Sequence, residues 1–295
     1  MRNRILLLFI SFAIIGCNGV KQKTTTEKEA ERGDRKAQFL LAEKFYKEQK
    51  YEEAIYWYKK SAEQGLLEAI YELAGCYHRG DGVSVDYKIA VKWLEIAAEQ
   101  GFLDAQNDLA SYYYQGYGVD KDYQKALYWM RKAADKGFAR AQANLGLFYE
   151  EGVVVKQSNE QALYWYTKAI EQNFDGAQYM LGVSYEKGTI VEQSFEQALY
   201  WYNKSAEQGH SLAQYNLGVF YIFGKGTEQS YEKAVYWFTK SAEQGNAMAQ
   251  YNLGMCYRKG DGVEQSHEKA AYWFRKACEN GQEDACEMFK NKKKR

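Results

Sequence analysis

The chain has 295 residues, of which 46% are hydrophobic and 26% are charged, a composition typical of globular rather than disordered proteins. Its 39 basic residues balance its 39 acidic residues, so no overall positive field attracts nucleic acid. Proline is absent, which excludes collagen-like and proline-rich architectures and favours uninterrupted helices.

The N-terminal residues predict a secretion signal. Arg2 and Arg4 precede the apolar run 5–15, which is too short to span a bilayer. Residues 14–17, Ile-Ile-Gly-Cys, resemble the lipobox of bacterial lipoproteins. The resemblance implies that 1–16 is a signal peptide and that Cys17 becomes lipidated. An ordinary signal peptide with an incidental cysteine is the alternative.

A membrane-anchored protein follows from that reading. The polar residues 17–26 would form a lipidated tether between the membrane and the folded part. Asn18 is not the aspartate that retains many such lipoproteins at the inner membrane, so we expect the periplasmic face of the outer membrane.

A single unit recurs along most of the chain. Tryptophan stands every 36 residues, at Trp57, Trp93, Trp129, Trp165, Trp201, Trp237 and Trp273. A constant period in this range is typical of stacked supersecondary units. Each unit begins with Ala, Leu and Tyr spaced by four, as in Ala213, Leu217 and Tyr221, which lie on one face of a helix called helix A.

A glycine-rich turn joins helix A to a second helix, helix B. Two units, at 152–154 and 188–190, lack the second glycine of this turn, so their turns should differ. An N-cap column opens helix B: Asp86, Asp122, Ser158, Ser194, Ser230 and Ser266. A glycine ends each helix B except at Asn173, and the indoles are predicted to fill space toward the next unit.

These motifs resemble a known family. Leu217, Gly218 and Tyr221, followed by Ala234 and Phe238, are similar to the tetratricopeptide repeat. The period of 36 and the Gly-x-Gly-Val turn resemble its relative, the Sel-one-like repeat. The resemblance implies an all-α, right-handed superhelical solenoid of seven helix-turn-helix units over 27–291. The units are 34–65, 66–101, 102–137, 138–173, 174–209, 210–245 and 246–281, with a terminal helix at 282–291 and a basic tail at 292–295.

Two cysteines near the C-terminus are candidates for a disulfide bond. The spacing of Cys278 and Cys286 is similar to the disulfide pairs of a cysteine-rich secreted branch of the family, which implies a bridge; two free thiols are the alternative. Cys76 and Cys256 occupy one column five units apart, too distant to bridge, and are predicted to be small buried residues.

Several motifs imitate catalytic signatures. The Ser-x-x-Lys sequences that start at Ser230 and Ser266 fit penicillin-interactive enzymes, but both serines belong to the N-cap column and the accompanying motifs are missing. His78, His210 and His267 fall in different columns, so no metal site, catalytic group or cofactor is predicted.

Function is therefore expected on the concave side, which helix A lines in superhelices of this kind. Two columns precede each leucine there: Tyr71, Asn107, Ala143, Tyr179, Tyr215, Tyr251, and Glu72, Asp108, Asn144, Met180, Asn216, Asn252. Tyr beside Asn suits an extended peptide, because rings supply contact area and amides bond to a backbone. The predicted groove residues are Tyr71, Tyr179, Tyr215, Tyr251, Asn144, Asn216 and Asn252. Packing within the repeat consensus is the alternative role.

The sequence thus predicts a non-enzymatic scaffold that binds a protein or peptide and is anchored to a bacterial membrane. A different class stays open: relatives in the cysteine-rich branch are described as penicillin-binding or weakly β-lactam-hydrolysing. A host-directed or envelope-assembly factor is a third reading.

Overall fold

The computed structural model describes residues 23–290. The predicted signal peptide, Cys17, most of the tether and the basic tail lie outside them. Every regular element within 23–290 is a helix. No helix in this range is long and apolar enough to cross a bilayer. Two compact units divide the chain, one ending at Ile70 and the other beginning at Tyr71.

Sixteen helices occupy the described residues. The A helices are α2 (Arg35–Lys47), α4 (Leu67–Arg79), α6 (Leu103–Gln115), α8 (Ala139–Glu151), α10 (Asp175–Lys187), α12 (Ser211–Phe223) and α14 (Ala247–Lys259). The B helices are α3 (Tyr51–Ala62), α5 (Tyr87–Glu99), α7 (Tyr123–Asp135), α9 (Asn159–Glu171), α11 (Phe195–Glu207), α13 (Tyr231–Glu243) and α15 (His267–Glu279). A short helix stands at each end, α1 (Thr25–Glu31) and α16 (Glu283–Lys290).

The first helix begins two residues before the predicted start of the repeat region at residue 27. Thr24 and Glu27 form a reciprocal capping box, which satisfies two amides of the first turn and starts α1 at Thr25. The start of α1 thus overlaps the last two residues, 25 and 26, of the predicted tether. Within this unit α1 packs against α2 around Ala30 and Leu41.

In the second unit, each A helix from α6 to α14 packs against its own B helix, and each B helix from α5 to α13 packs against the next A helix. Ala234 and Phe238 of α13 form one core cluster with Ala249 and Leu253 of α14. The predicted all-α fold of stacked helical hairpins is confirmed.

The predicted helix caps are present. Each serine or aspartate of the N-cap column accepts a hydrogen bond from the amide three residues on, as in the 3.3 Å bond from Lys233 N to Ser230 Oγ. Asn173 takes the left-handed conformation, with φ of 58°, in place of the usual glycine.

The turns that lack a second glycine differ, as expected. Gly226 has φ of 64°, and a Cβ there would lie 2.5 Å from the carbonyl carbon of Phe195, at the start of the preceding B helix. Only glycine permits this approach. Val154 and Ile190 hold the equivalent position without positive φ, and the Ile190 side chain is buried against the cluster of Ala162 and Tyr166 instead.

Three tryptophans pack in the opposite direction from the one predicted. Trp237 of α13 contacts the cluster formed by α11 and α12, and Trp273 of α15 contacts the cluster of α13 and α14. Trp165 contacts the cluster that contains α7 and α8 in the same way, so these three indoles cover the preceding repeat, whereas Trp129 of α7 packs on a cluster that includes α8 of the next repeat. The reason is that each of the three side chains lies over the junction where its own hairpin meets the preceding B helix.

Candidate peptide-binding groove

The predicted groove residues lie on the A helices of the second unit. Their side chains are neither fully buried nor fully exposed: Tyr71, Asn144, Tyr179, Tyr215, Asn216, Tyr251 and Asn252. Two neighbours in the same columns, Asn107 and Ala143, are buried. The columns therefore form a face whose central part is closed by packing.

The tyrosines of this face bond to the polar residue of the following repeat. Tyr71 Oη donates to Asp108 Oδ2 at 2.8 Å. The equivalent tyrosines, Tyr179 and Tyr215, hydrogen-bond Asn216 and Asn252. Burial raises the pKa of Tyr71, and the Asp108 carboxylate adds to the rise, so the phenol stays a donor at neutral pH.

The central part of the face replaces this pairing with other contacts. Asn144 Nδ2 donates to Asn107 Oδ1 at 2.9 Å, and Asn107 donates in turn to Asp108. One repeat on, Met180 packs against the cluster of Ala143 and Ala169. The polar residues of the columns therefore join successive repeats, and their partly exposed amides keep further hydrogen-bonding positions.

Three cavities follow the same face, each between two successive A helices. The first, of about 400 Å³, lies between α4 and α6 and includes Tyr71, Glu72, His78 and Asp108. The second, of about 460 Å³, lies between α8 and α10. The third, of about 330 Å³, lies between α12 and α14. Together they make the groove: the face of α4, α6, α8, α10, α12 and α14 that bears the predicted columns.

Carboxylates within the groove were missed by the sequence reasoning. Glu150 accepts hydrogen bonds from Tyr166 at 2.7 Å and from Ser184 and Thr189 of the next repeat. One repeat later, Glu186 accepts from Tyr202 and pairs with Lys225 at 3.0 Å. The sequence contains a signal for these bonds, because each of the two tyrosines follows its glutamate by 16 residues.

His210 lies beside the groove and caps a helix. Burial lowers the pKa of His210, so the ring is neutral and Nδ1 accepts from Ala213 N at 3.3 Å. The same ring stacks on Tyr179 with a centroid separation of 4.7 Å. Between residues 23 and 290, no group of three or more His, Cys, Asp or Glu side chains is arranged to hold a metal ion.

The two Ser-x-x-Lys sequences serve as helix caps. Ser230 Oγ accepts from the Lys233 amide and donates to Glu232, and Ser266 caps α15 in the same way. At the C-terminal end, the sulfurs of Cys278 and Cys286 form a disulfide that joins α15 to α16. Cys76 and Cys256 are buried free thiols.

A family model agrees with this repeating geometry. The model described as Sel1 repeat matches seven times, at residues 35–66, 67–102, 103–138, 139–174, 176–210, 211–246 and 247–282. The chain belongs to the Sel1 repeat family. Sel1 repeat proteins are typically protein-interaction scaffolds and are generally non-enzymatic.

Solved structures extend the comparison. A Sel1 repeat protein from Oxalobacter formigenes is 32% identical, with a TM-score of 0.64 over 81% of this chain and 96% of that one. The protective antigen c5321 of uropathogenic Escherichia coli, described as displaying an SLR fold, is 35% identical, with a TM-score of 0.62 over 90% of this chain. The protein described here spans only 57% of the length of c5321.

A more distant structure shares the fold alone. The immunity protein Pa5087 from Pseudomonas aeruginosa is 22% identical, with a TM-score of 0.58 over 74% of this chain and 83% of that one. Comparison with curated proteins returns no match.

Proposed function

We propose that the chain is a non-enzymatic scaffold that binds an extended protein segment along the groove. The observation that carries the proposal is the row of three cavities between successive A helices, bordered by half-buried tyrosines and asparagines. Aromatic rings supply rigid contact area at low entropic cost, and amides can bond to a peptide backbone. The family's typical role in protein interaction supports the same reading.

The test is selection of displayed random nonapeptides on the complete chain in detergent. The wild type should enrich a defined set of sequences. Asn216→Ala combined with Asn252→Ala should weaken binding of the enriched peptides about tenfold, a loss typical of removing one or two interface hydrogen bonds. Asn203→Ala combined with Thr239→Ala is the matched control, since both side chains lie on B helices and bond to the backbone carbonyl four residues earlier, outside the three cavities. Equal binding by both double variants would contradict the assignment.

We further propose that a lipid on Cys17 holds this scaffold at a bacterial membrane, on the periplasmic face of the outer membrane. The support is the apolar run 5–15, which ends within the lipobox-like residues 14–17. More than one acyl chain gives stable anchoring. Mass spectrometry of the mature N-terminus should find an acylated Cys17, and Cys17→Ser should release the chain from the membrane fraction. A mature chain that starts elsewhere would refute the anchor.

The alternative reading, penicillin binding or weak β-lactam hydrolysis, is not favoured by any observation. Its two candidate serines act as helix caps. Turnover of a chromogenic β-lactam that is lost in Ser230→Ala or Ser266→Ala would revive it.

A further inference from the structure

The repeats allow the charge of one helical hairpin to be compared with that of its neighbours. Residues 121–140, which contain α7 and the turn into α8, carry six cations and two carboxylates, a net charge of +4. The equivalent segments of the second unit have net charges of −2, −2, −1, 0 and −1: 85–104, 157–176, 193–212, 229–248 and 265–284. One segment of the stack is therefore strongly basic, although the whole chain has no net charge.

Five of these cations form what we call the basic surface: Lys125, Arg131, Lys132, Lys136 and Arg140. Because residues seven and four apart share a face of a helix, Lys125, Lys132 and Lys136 form a row along α7. Lys136 and Arg140 line a cavity of about 350 Å³ at the turn into α8. Asp104 lines it too, but its contact with Arg140 is long, at 3.8 Å, and partly exposed, so it neutralises little.

Lys132 lacks the ion-pair partner that an equivalent lysine has. In α9, Lys168 pairs at 3.1 Å with Glu171, three residues on. The residue three after Lys132 is Asp135, whose side chain is one methylene shorter and forms no ion pair within residues 23–290. The Lys132 ammonium instead lies 4.6 Å from the centroid of the Trp129 ring. Its charge is therefore not neutralised by a carboxylate of the described residues.

Lys136 occupies its position at a cost to the stack. In the other repeats of the second unit that carry a buried glutamine on helix A, the equivalent position is Gln or Asn and donates to that glutamine, as Gln172 does to Gln142 at 2.8 Å. Lys136 supplies no such donor, and Gln106 Oε1 is buried without a partner. A residue that breaks a packing rule at a cost in stability marks a functional position. The charge of Lys136, and not the stack, therefore explains this residue.

The extent of the basic surface limits the kind of anion that fits it. The row along α7 is about 17 Å long and one repeat wide. On the equivalent helices of the adjacent repeats, Glu99 of α5 and Glu160 of α9 are exposed. A nucleic acid or an anionic bilayer extends beyond one repeat and would meet these like charges, whereas a short acidic protein segment would not. The family's role in protein interaction favours a protein as well.

We propose that the basic surface is a second interaction surface, which binds a short acidic segment of a partner protein. It is separate from the groove, because none of its five cations lines the three cavities there. One carboxylate of the segment lies between Lys136 and Arg140, beside the Phe138 and Phe174 rings that line the same cavity. A second carboxylate pairs with Lys132. Charge pairs of this kind determine which partner is accepted and how fast it associates.

The test is the binding of a dye-labelled nonapeptide, in which Glu alternates with Ser, to the complete chain in detergent. Fluorescence anisotropy should give a dissociation constant that rises with salt concentration. Lys132→Gln combined with Lys136→Gln should weaken binding about tenfold. Lys204→Gln combined with Lys240→Gln is the matched control. It removes the same charge from two other B helices, at the positions equivalent to Lys132, and neither lysine has an ion-pair partner within residues 23–290.

The single variant Lys136→Gln separates binding from folding. It should weaken binding and yet raise thermal stability, because glutamine restores the donor to Gln106. Equal losses in the two double variants would show that net charge alone binds the peptide, and would overturn the proposal. So would no binding by the wild type, or a loss of binding in the Asn216→Ala, Asn252→Ala groove variant. Tighter binding of phosphatidylglycerol vesicles or of a nine-nucleotide DNA strand would overturn the acidic segment as the partner.

Discussion

Buried glutamines show how single side chains join successive repeats. Gln142 donates from Nε2 to the Ala134 carbonyl at 3.2 Å, and its Oε1 accepts from Gln172 Nε2 at 2.8 Å. Equivalent bonds recur at Gln214 and Gln250. A buried amide bonded at both ends costs little, whereas one left half-bonded costs about 1–3 kcal/mol.

One repeat breaks this arrangement. Gln106 Oε1 is buried without a hydrogen-bond partner, because the position that carries the donor elsewhere is Lys136. Lys136→Gln should restore the donor and raise the free energy of unfolding by about 1 kcal/mol. Urea unfolding monitored by circular dichroism measures the change.

The reciprocal substitution is the control. Gln172→Lys removes the donor to Gln142 and should lower the free energy of unfolding by about 1–3 kcal/mol. If both substitutions moved the unfolding midpoint in the same direction, the glutamine bonds would not explain the effect.

At the scale of the helical hairpin, packing depends on matched sizes. Gly218 of α12 lies against the ring of Phe238 on α13, and a Cβ at position 218 would overlap that ring. In an earlier hairpin, Ala110 shares a core cluster with the slimmer Met130 at the equivalent positions. Glycine on helix A therefore accompanies an aromatic ring on helix B, whereas alanine accompanies the slimmer methionine.

This size match predicts an overpacked variant. Gly218→Ala should lower the free energy of unfolding by about 1–3 kcal/mol, although alanine favours helix, because the added Cβ would overlap the buried Phe238 ring. Phe238→Leu in the same chain should recover part of the loss. Denaturant midpoints of the single and double variants measure the coupling.

A second helical glycine provides the matched control. A Cβ at Gly75 would meet only the far end of the flexible Arg79 side chain. Gly75→Ala should therefore be neutral or stabilising by up to about 1 kcal/mol. Equal destabilisation by both glycine substitutions would argue against the ring as the cause.

At the scale of the whole molecule, stability is shared between neighbouring repeats, so the ends of the stack need covers. The final hairpin is covered by α16, where Ala285 joins the cluster of Phe274 and Ala277. The disulfide between Cys278 and Cys286 ties this cover to α15. Loss of the disulfide should therefore destabilise the last repeat before any other part of the second unit.

Cys278→Ser with Cys286→Ser should lower stability by about 2–3 kcal/mol, the entropic value for closing so short a loop. Amide hydrogen exchange should show the loss first in α15 and α16. Reduction of the wild type should reproduce it. Burial raises the pKa of the Cys76 thiol to about 12 and that of the Cys256 thiol to about 11. Because the thiolate is the reactive form, these two cysteines should resist alkylation while the disulfide is reduced. Uniform exchange throughout the chain would contradict a local cover.

The sequence alone determined the period, the helix class, the caps and the left-handed helix ends. These features depend on residues within one turn or one hairpin, such as Ser230 and the amide of Lys233. The sequence signals for these features are local, and their recurrence in successive repeats made each column of equivalent residues recognisable. The residues of the two columns lie on the A helices, as expected, for the same reason.

Only the tertiary structure decided how those columns are used. Tyr71 meets Asp108 and Glu150 meets Ser184 across 37 and 34 residues, and both pairings depend on the rotation between successive hairpins. The direction in which Trp237 packs and the third cavity of the groove depend on it too. A periodic sequence shows that neighbouring repeats have similar residues. The angle between them follows from the packing of side chains across the contact between two repeats, which cannot be read from one repeat alone.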